Sequence, residues 1–210
     1  QFVATLAGQV TALPRSGLVH CSGQLANSQI GSGAAMFHPL MSFRGDETAA
    51  IFRGCPVGIS GPGDTRTILR DLAEELGARP FILDDEHTSS YHLAAMFASV
   101  FPYILLLQAK ELAQRSGLAP EETGTMFGPI FRRTADHLEV VDPHEGLTGP
   151  VSRGDEQTVR QHLEALAGDH DLAELYRALT RISLRYAGLD AGTRESVEAA
   201  LQEVLEPPGA

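Results

Sequence analysis

The densest group of chemically useful side chains lies in Gly146-Leu147-Thr148-Gly149-Pro150-Val151-Ser152-Arg153-Gly154-Asp155. Two hydroxyls, a guanidinium, backbone N–H groups and a helix start fall within one short stretch. Such a set can hold a carboxylate or phosphate. It can equally be an interhelical loop in which Arg153 pairs with Asp155 or another acid. A second group is Ser90-Tyr91-His92-Leu93-Ala94-Ala95. His92 sits among small and apolar residues, where a partly desolvated imidazole can act as an acid, a base or a donor to a carbonyl. Tyr91 adds a second donor. A hydrogen-bonded core histidine fits the same pattern. The third group comprises two strand ends, Val19-His20-Cys21-Ser22-Gly23 and Phe37-His38-Pro39-Leu40. Open α/β sheets bind ligands at the carboxyl ends of their strands, which places Ser22 and His38 where a ligand would be. Otherwise Ser22 and Gly23 only shape a turn and His38 only packs.

Other chemistries lack their residues. The glycines of Gly31-Ser32-Gly33-Ala34-Ala35-Met36 would put Met36 where a dinucleotide fingerprint needs a small residue. That segment also precedes a strand, whereas a phosphate loop follows one, so it reads as a flexible loop. Cys21 and Cys55 form no CxxC pair, no cluster has zinc spacing, and no metal site is expected. There is no GxSxG, HExxH, P-loop or paired-carboxylate signature. His87, His137, His144, His162 and His170 are scattered and receive no role.

The elements that must position these groups change type along the chain. Up to Asp85, short apolar strands alternate with helices or loops. Leu18 to Cys21, Ala35 to His38, Pro56 to Ser60 and Pro80 to Leu83 read as strands. Asp64 reads as the cap of a helix to Leu76, with Ile68, Leu69, Leu72 and Leu76 buried and Gly77 as its stop. This pattern predicts a parallel or mixed sheet covered on both faces. From Glu86 the chain reads as helix: one long stretch ended by Gly117 and kinked at Pro102, then a helix opened by Pro120 and interrupted near Pro129. A loop follows from Asp142 to Gly154, then a helix capped by Asp155, and two more over Leu172 to Ala187 and Thr193 to Leu205. The Pro207-Pro208 tail is expected to fray. The fold class is α/β followed by all-α, with domains over residues 1–85 and 86–210.

Composition sets outer limits. Lys and Arg number 16 against 27 Asp and Glu, a formal net charge of −11. So acidic a chain lacks the basic face that nucleic acid needs. Two isolated thiols and the lack of a signal peptide point to a reducing cytoplasm. The uncharged run Tyr91 to Ala109 approaches the ~20 residues of a membrane span. It contains His92, Ser99, Pro102 and Gln108 and has no basic flank, so a buried core helix is expected rather than a membrane segment. Gln1 opens within an amphipathic pattern carrying Phe2, Val3, Leu6 and Val10, and further sequence is expected upstream.

Cys21-Ser22-Gly23, His38-Pro39-Leu40 through Phe43, Tyr91-His92-Leu93-Ala94-Ala95, and Leu147-Thr148-Gly149-Pro150 through Asp155 occur in that order. Together they resemble a bacterial family of Rossmann-like proteins with a C-terminal helical domain of unknown function. That family is similar to pyrroline-5-carboxylate reductase, ketopantoate reductase and the 6-phosphogluconate dehydrogenase superfamily. The resemblance implies a partial Rossmann-type sheet, a 6-phosphogluconate dehydrogenase C-terminal-like helical domain, NADP or NAD as cofactor, and a homodimer formed through the helical domain. It places Ser22, Gly23, His38 and Pro39 on the nicotinamide side. His92 would be catalytic, and Tyr91, Thr148, Gly149, Arg153 and Asp155 would bind a small carbonyl, imine or hydroxy acid. The expected phosphate loop would lie upstream of Gln1. Val100 stands where relatives often carry an Asn, which leaves a non-catalytic dimeric ligand-binding or scaffold protein as the alternative.

Overall fold

A computed structural model describes residues 17–203. The amphipathic start over Phe2 to Val10 and the Pro207-Pro208 tail lie outside the described residues. The chain divides into two compact units, Gln1–Leu118 and Ala119–Ala210.

The first unit is built on a four-stranded sheet in the order β1-β2-β3-β4. Its strands are β1 (Val19–His20), β2 (Ala35–Pro39), β3 (Pro56–Ser60) and β4 (Arg79–Ile82). β1 and β2 are parallel, β2 and β3 antiparallel, and β3 and β4 parallel, so the sheet is mixed. Side chains alternate between the two faces of a strand. Ala35, Phe37, Val57 and Ile59 therefore share one face, and they pack with Leu69 and Ala73 in a buried cluster. Each fully buried Val or Ile contributes about 1.5–3 kcal/mol.

Two helices border the sheet: α1 (Asn27–Ile30) leads into β2, and α2 (Gly63–Glu75) joins β3 to β4. α2 begins earlier than its sequence suggests. Pro62 holds the cap position and its carbonyl accepts the Arg66 N–H at 2.8 Å. Asp64 instead sits in the first turn, where its charge complements the helix dipole. The buried stripe is also narrower than expected: Leu69 and Ala73 are buried, whereas Ile68 is 66% exposed and Leu72 42%.

After a short 3₁₀ turn at Asp85–His87 come α3 (Thr88–Ala98) and α4 (Val100–Arg115). The helix breaks at Ser99, whose φ of −128° and ψ of −68° leave the helical region. Pro102 explains the position, because a proline ring clashes with the carbonyl of the residue four before it, here Ala98. The expected buried core helix is not buried. Leu93, Phe97 and Tyr103 are 54%, 61% and 63% exposed, and α4 contains no buried residue. By length and composition alone, Asp85–Arg115 is apolar enough to cross a membrane.

The second unit holds α5 (Pro120–Met126), α6 (Gly128–Val140), α7 (Pro143–Gly146), α8 (Glu156–Ala165), α9 (His170–Ser183) and α10 (Ala191–Gln202). Pro129 falls in the first turn of α6, so the expected interruption is a helix start. Val159 and Leu163 of α8 pack with Leu184 and with Val197, Ala200 and Leu201 of α10.

Among the described glycines of the first unit, Gly61 is the most tightly placed. Its φ is +126°, and a Cβ there would lie 2.6 Å from Ala35 Cβ and 2.9 Å from Ala35 Cα. Gly61→Ala adds strain of about 1–3 kcal/mol to a clash with backbone that cannot move aside. We expect a lower denaturation midpoint with an unchanged m-value in a urea titration.

Candidate functional site

The sheet face opposite the apolar cluster carries the polar groups, beside Met36 and Phe81. His20, Met36 and Ser60 lie on it as cross-strand neighbours, and so do His38, Gly58 and Phe81. Two hydrogen-bonded groups are built on this face.

The first group is centred on Asn27. Its side-chain oxygen is 3.0 Å from His20 Nε2, and its amide donates to Ser60 Oγ at 2.7 Å. All three residues are buried. His20 Nδ1 is buried without a partner among the described residues. The start of α1 is held from a distance: Asn27 N–H donates to Asp85 Oδ1 at 2.5 Å and Ser28 N–H to Oδ2 at 3.1 Å. Burial pushes the Asp85 carboxyl up, but the hydrogen bonds from Asn27 and Ser28, together with His20, outweigh it and hold the group below the ordinary carboxylate value.

The second group joins His38 to Tyr91. The phenol oxygen is 2.7 Å from His38 Nδ1, and the rings stand edge to face with centroids 5.5 Å apart. Gly58 makes this possible, since a Cβ there would lie 3.3 Å from Tyr91 Oη and 3.2 Å from Phe81 Cζ. Gly23 is buried against the imidazole, where a Cβ would come within 2.7 Å of His38 Cε1. Burial, assisted by His92 and His20, pushes the His38 pKa down. Burial, with Cys55 adding to it, pushes Tyr91 up to about 12. His92 is partly buried and makes no hydrogen bond or ion pair among the described residues.

The remaining candidates of the first unit flank this pair. Ser22 Oγ accepts the Gln24 and Leu25 N–H groups, each at 3.3 Å, which leaves its own proton free to donate. Pro39 ends β2 and is buried. The Gly31–Gly33 turn runs from α1 into β2 and lines a cavity of about 520 Å³ together with Ser60, Arg66 and Asp85. Its helix-to-strand order is the reverse of a pyrophosphate loop. The Ser60–Gly63 turn has the right order, but Pro62 offers no N–H and Asp64 puts a negative charge in the first turn of α2. Among the described residues, neither turn therefore has both the order and the donors of a pyrophosphate loop.

In the second unit the dense motif resolves into a turn and a cap. Gly149 has φ +99° and Gly154 φ +69°, and Ser152 Oγ donates to the Gly149 carbonyl at 2.9 Å. Asp155 caps α8: it accepts the Thr158 N–H at 3.0 Å and the Thr158 hydroxyl at 2.6 Å. These bonds hold its carboxyl below the ordinary range. Arg153 is exposed and forms no ion pair among the described residues, so the Arg153–Asp155 pairing is not made. Thr148 lines a cavity of about 490 Å³ with Leu138, Val141, Leu147, Ile182 and Tyr186.

The structure thus brings together Gly23, His38 and Tyr91, and sets His92 close enough to His38 for its charge to act there. Gly58, Asn27, Ser60 and Asp85 were missed by sequence reasoning. A glycine inside an apolar strand was the available signal for Gly58, because it often marks close approach of another group. Asn27 and Asp85 carried no comparable signal.

Comparison with known proteins fits this architecture. The family described as a domain of unknown function (DUF2520) matches residues 55–182. The chain belongs to that family. It is similar to the crystal structure of the candidate NADP oxidoreductase BF3122 from Bacteroides fragilis, with a TM-score of 0.74, 26% identity, and coverage of 88% of this chain and 71% of that one. Protein TM1727 from Thermotoga maritima matches with a TM-score of 0.73 and 30% identity over 94% of this chain and 75% of that one. No curated protein matches the chain. The fold is α/β of the Rossmann-like kind with a helical C-terminal region.

The depressed His38 pKa has a consequence for stability. The folded state binds a proton at His38 less readily than the unfolded chain, whose value is the ordinary 6.5. Its contribution is fully present above 6.5 and is lost as pH falls through the folded pKa. The groups facing His38 are His20 from β1 and Tyr91 and His92 from α3. Unfolding free energy should therefore decline as pH drops below about 6.5. Denaturant titrations at several pH values should show a shallower decline for His38→Gln.

Proposed function

We propose that this protein is an NAD(P)-dependent reductase or dehydrogenase acting on a small carbonyl, imine or hydroxy acid. The observation that carries the reading is His92, unpartnered and close to the His38–Tyr91 pair on the polar sheet face. Similarity to the candidate NADP oxidoreductase supports it. The nicotinamide, when bound, supplies or accepts hydride. Ser22 and His38 orient its amide, with Gly23 and Pro39 shaping the strand ends beside it. His92 gives or takes the proton that balances hydride transfer. In the second unit, Thr148 beside its apolar cavity and the unpaired Arg153 are assigned to holding the substrate. Gly149 and Asp155 fix the turn that carries them.

Fluorescence titration of the full-length protein with NADPH should give micromolar binding. His92→Ala should keep that affinity while losing about 10²–10⁴-fold in kcat. Unchanged turnover would remove His92 from the chemistry. Val100 favours a second reading, a ligand-binding or scaffold protein on a reductase fold. Tight NADPH binding without hydride transfer to any carbonyl or imine in a broad panel would select it.

We also infer a homodimer formed through the helices that follow Glu86, in a reducing cytoplasm that keeps Cys21 and Cys55 as thiols. The support is the apolar stripe of α3 and α4, where Phe97 and Phe101 stack edge to face at 4.9 Å while 61% and 40% exposed. A contiguous exposed patch of this kind normally has an occupant. Sedimentation should show a dimer for the wild type and a monomer for Phe97→Glu. A wild-type monomer that co-sediments with lipid vesicles would assign the stripe to a membrane instead.

A further inference from the structure

The His38 imidazole has little freedom. Tyr91 Oη lies 2.7 Å from Nδ1, and Gly23 stands against the ring. The phenol is confined as well, with Phe81 edge to face at 5.8 Å and Gly58 leaving just enough space beneath the hydroxyl. A phenol–imidazole hydrogen bond can run in two directions. If Nδ1–H donated to Tyr91, the partly buried phenol proton would need another acceptor. His38 is the only hydrogen-bond partner Tyr91 has among the described residues. If Tyr91 donates to Nδ1, the phenol proton is used and the imidazole proton lies on Nε2, where it is left for a ligand. An imidazole nitrogen accepts more strongly than a phenol oxygen, which favours this direction.

We propose that Tyr91 is a positioning residue that locks His38 as the neutral Nε2–H tautomer, a fixed donor for a neutral carbonyl or carboxamide oxygen. The identity of that oxygen, the nicotinamide amide, rests on the reductase reading; the tautomer does not. Burial supports the lock from both sides, since it disfavours a charged imidazole and keeps the phenol protonated. A neutral donor gives an amide oxygen a directed hydrogen bond without drawing in a carboxylate by charge. Tyr91 then acts on the ligand through His38, and proton transfer is left to His92.

The test uses full-length protein labelled with ¹⁵N at histidine. Nitrogen spectra between pH 7 and 8 should place His38 Nδ1 in the unprotonated range and Nε2 in the protonated range. Tyr91→Phe should abolish that preference. Gly58→Ala, which keeps the hydroxyl but crowds the phenol, should weaken it. Tyr91→Phe should also loosen NADPH by about three- to tenfold, while affinity for 2′-phospho-ADP-ribose, which lacks the nicotinamide, stays constant. A proton on His38 Nδ1 in the wild type would overturn the lock. Equal NADPH affinity for wild type and Tyr91→Phe would overturn the recognition role. Failure of the wild type to bind NADPH would sink the reductase reading, and the nitrogen spectra would still decide the lock.

Discussion

The two-residue period of a β-strand divides the first unit into an apolar side and a chemical side. Ala35, Phe37, Val57 and Ile59 bury themselves against α2, and the residues between them have nowhere to point but the other face. His38 and Ser60 appear on that face because their neighbours in sequence are needed in the core. A one-residue slip of β2 against β3 would put the His38 imidazole into the apolar cluster and expose Phe37. Core energetics therefore hold the polar groups in register without contacting them.

Glycine completes the arrangement by leaving space. Gly58 lets a phenol from α3 reach across β3 to the imidazole on β2, and Gly23 lets the end of β1 close against the same ring. Asp85 ties the same region together by holding the start of α1 immediately before the chain enters α3. The polar face is thus anchored by bonds between segments far apart in sequence. Groups held this way lose little freedom when a ligand binds, which is the advantage of building a site on strands.

The second unit shows how one motif can carry structure and still offer chemistry. Gly154 and Asp155 are engaged in a left-handed turn and a helix cap, and a Cβ on Gly154 would fall against Thr193. Arg153 and Thr148 are not engaged in this way, and Thr148 lines a cavity instead. The α3–α4 stripe is similarly divided. Pro102 sets the break between the helices, whereas Phe97 and Phe101 stack on each other and stay largely exposed among the described residues.

The amino-acid sequence alone determined whatever depends on a few neighbouring residues. The strand at Pro56–Ser60, the stop at Gly77, the break caused by Pro102 and the Asp155 cap all follow from local sterics and short-range hydrogen bonds. Period-two and helical patterns likewise showed a mixed α/β region followed by helices. Hydropathy could not say what an apolar surface would meet, so Ile68, Leu72 and the α3–α4 stripe were expected in a core and are exposed. The site itself was legible only in pieces. His38 and Tyr91 are 53 residues apart, and Asp85 and Asn27 are 58 apart. Their meeting depends on strand order, register and where α3 lands on the sheet, which only the packing of the whole unit decides.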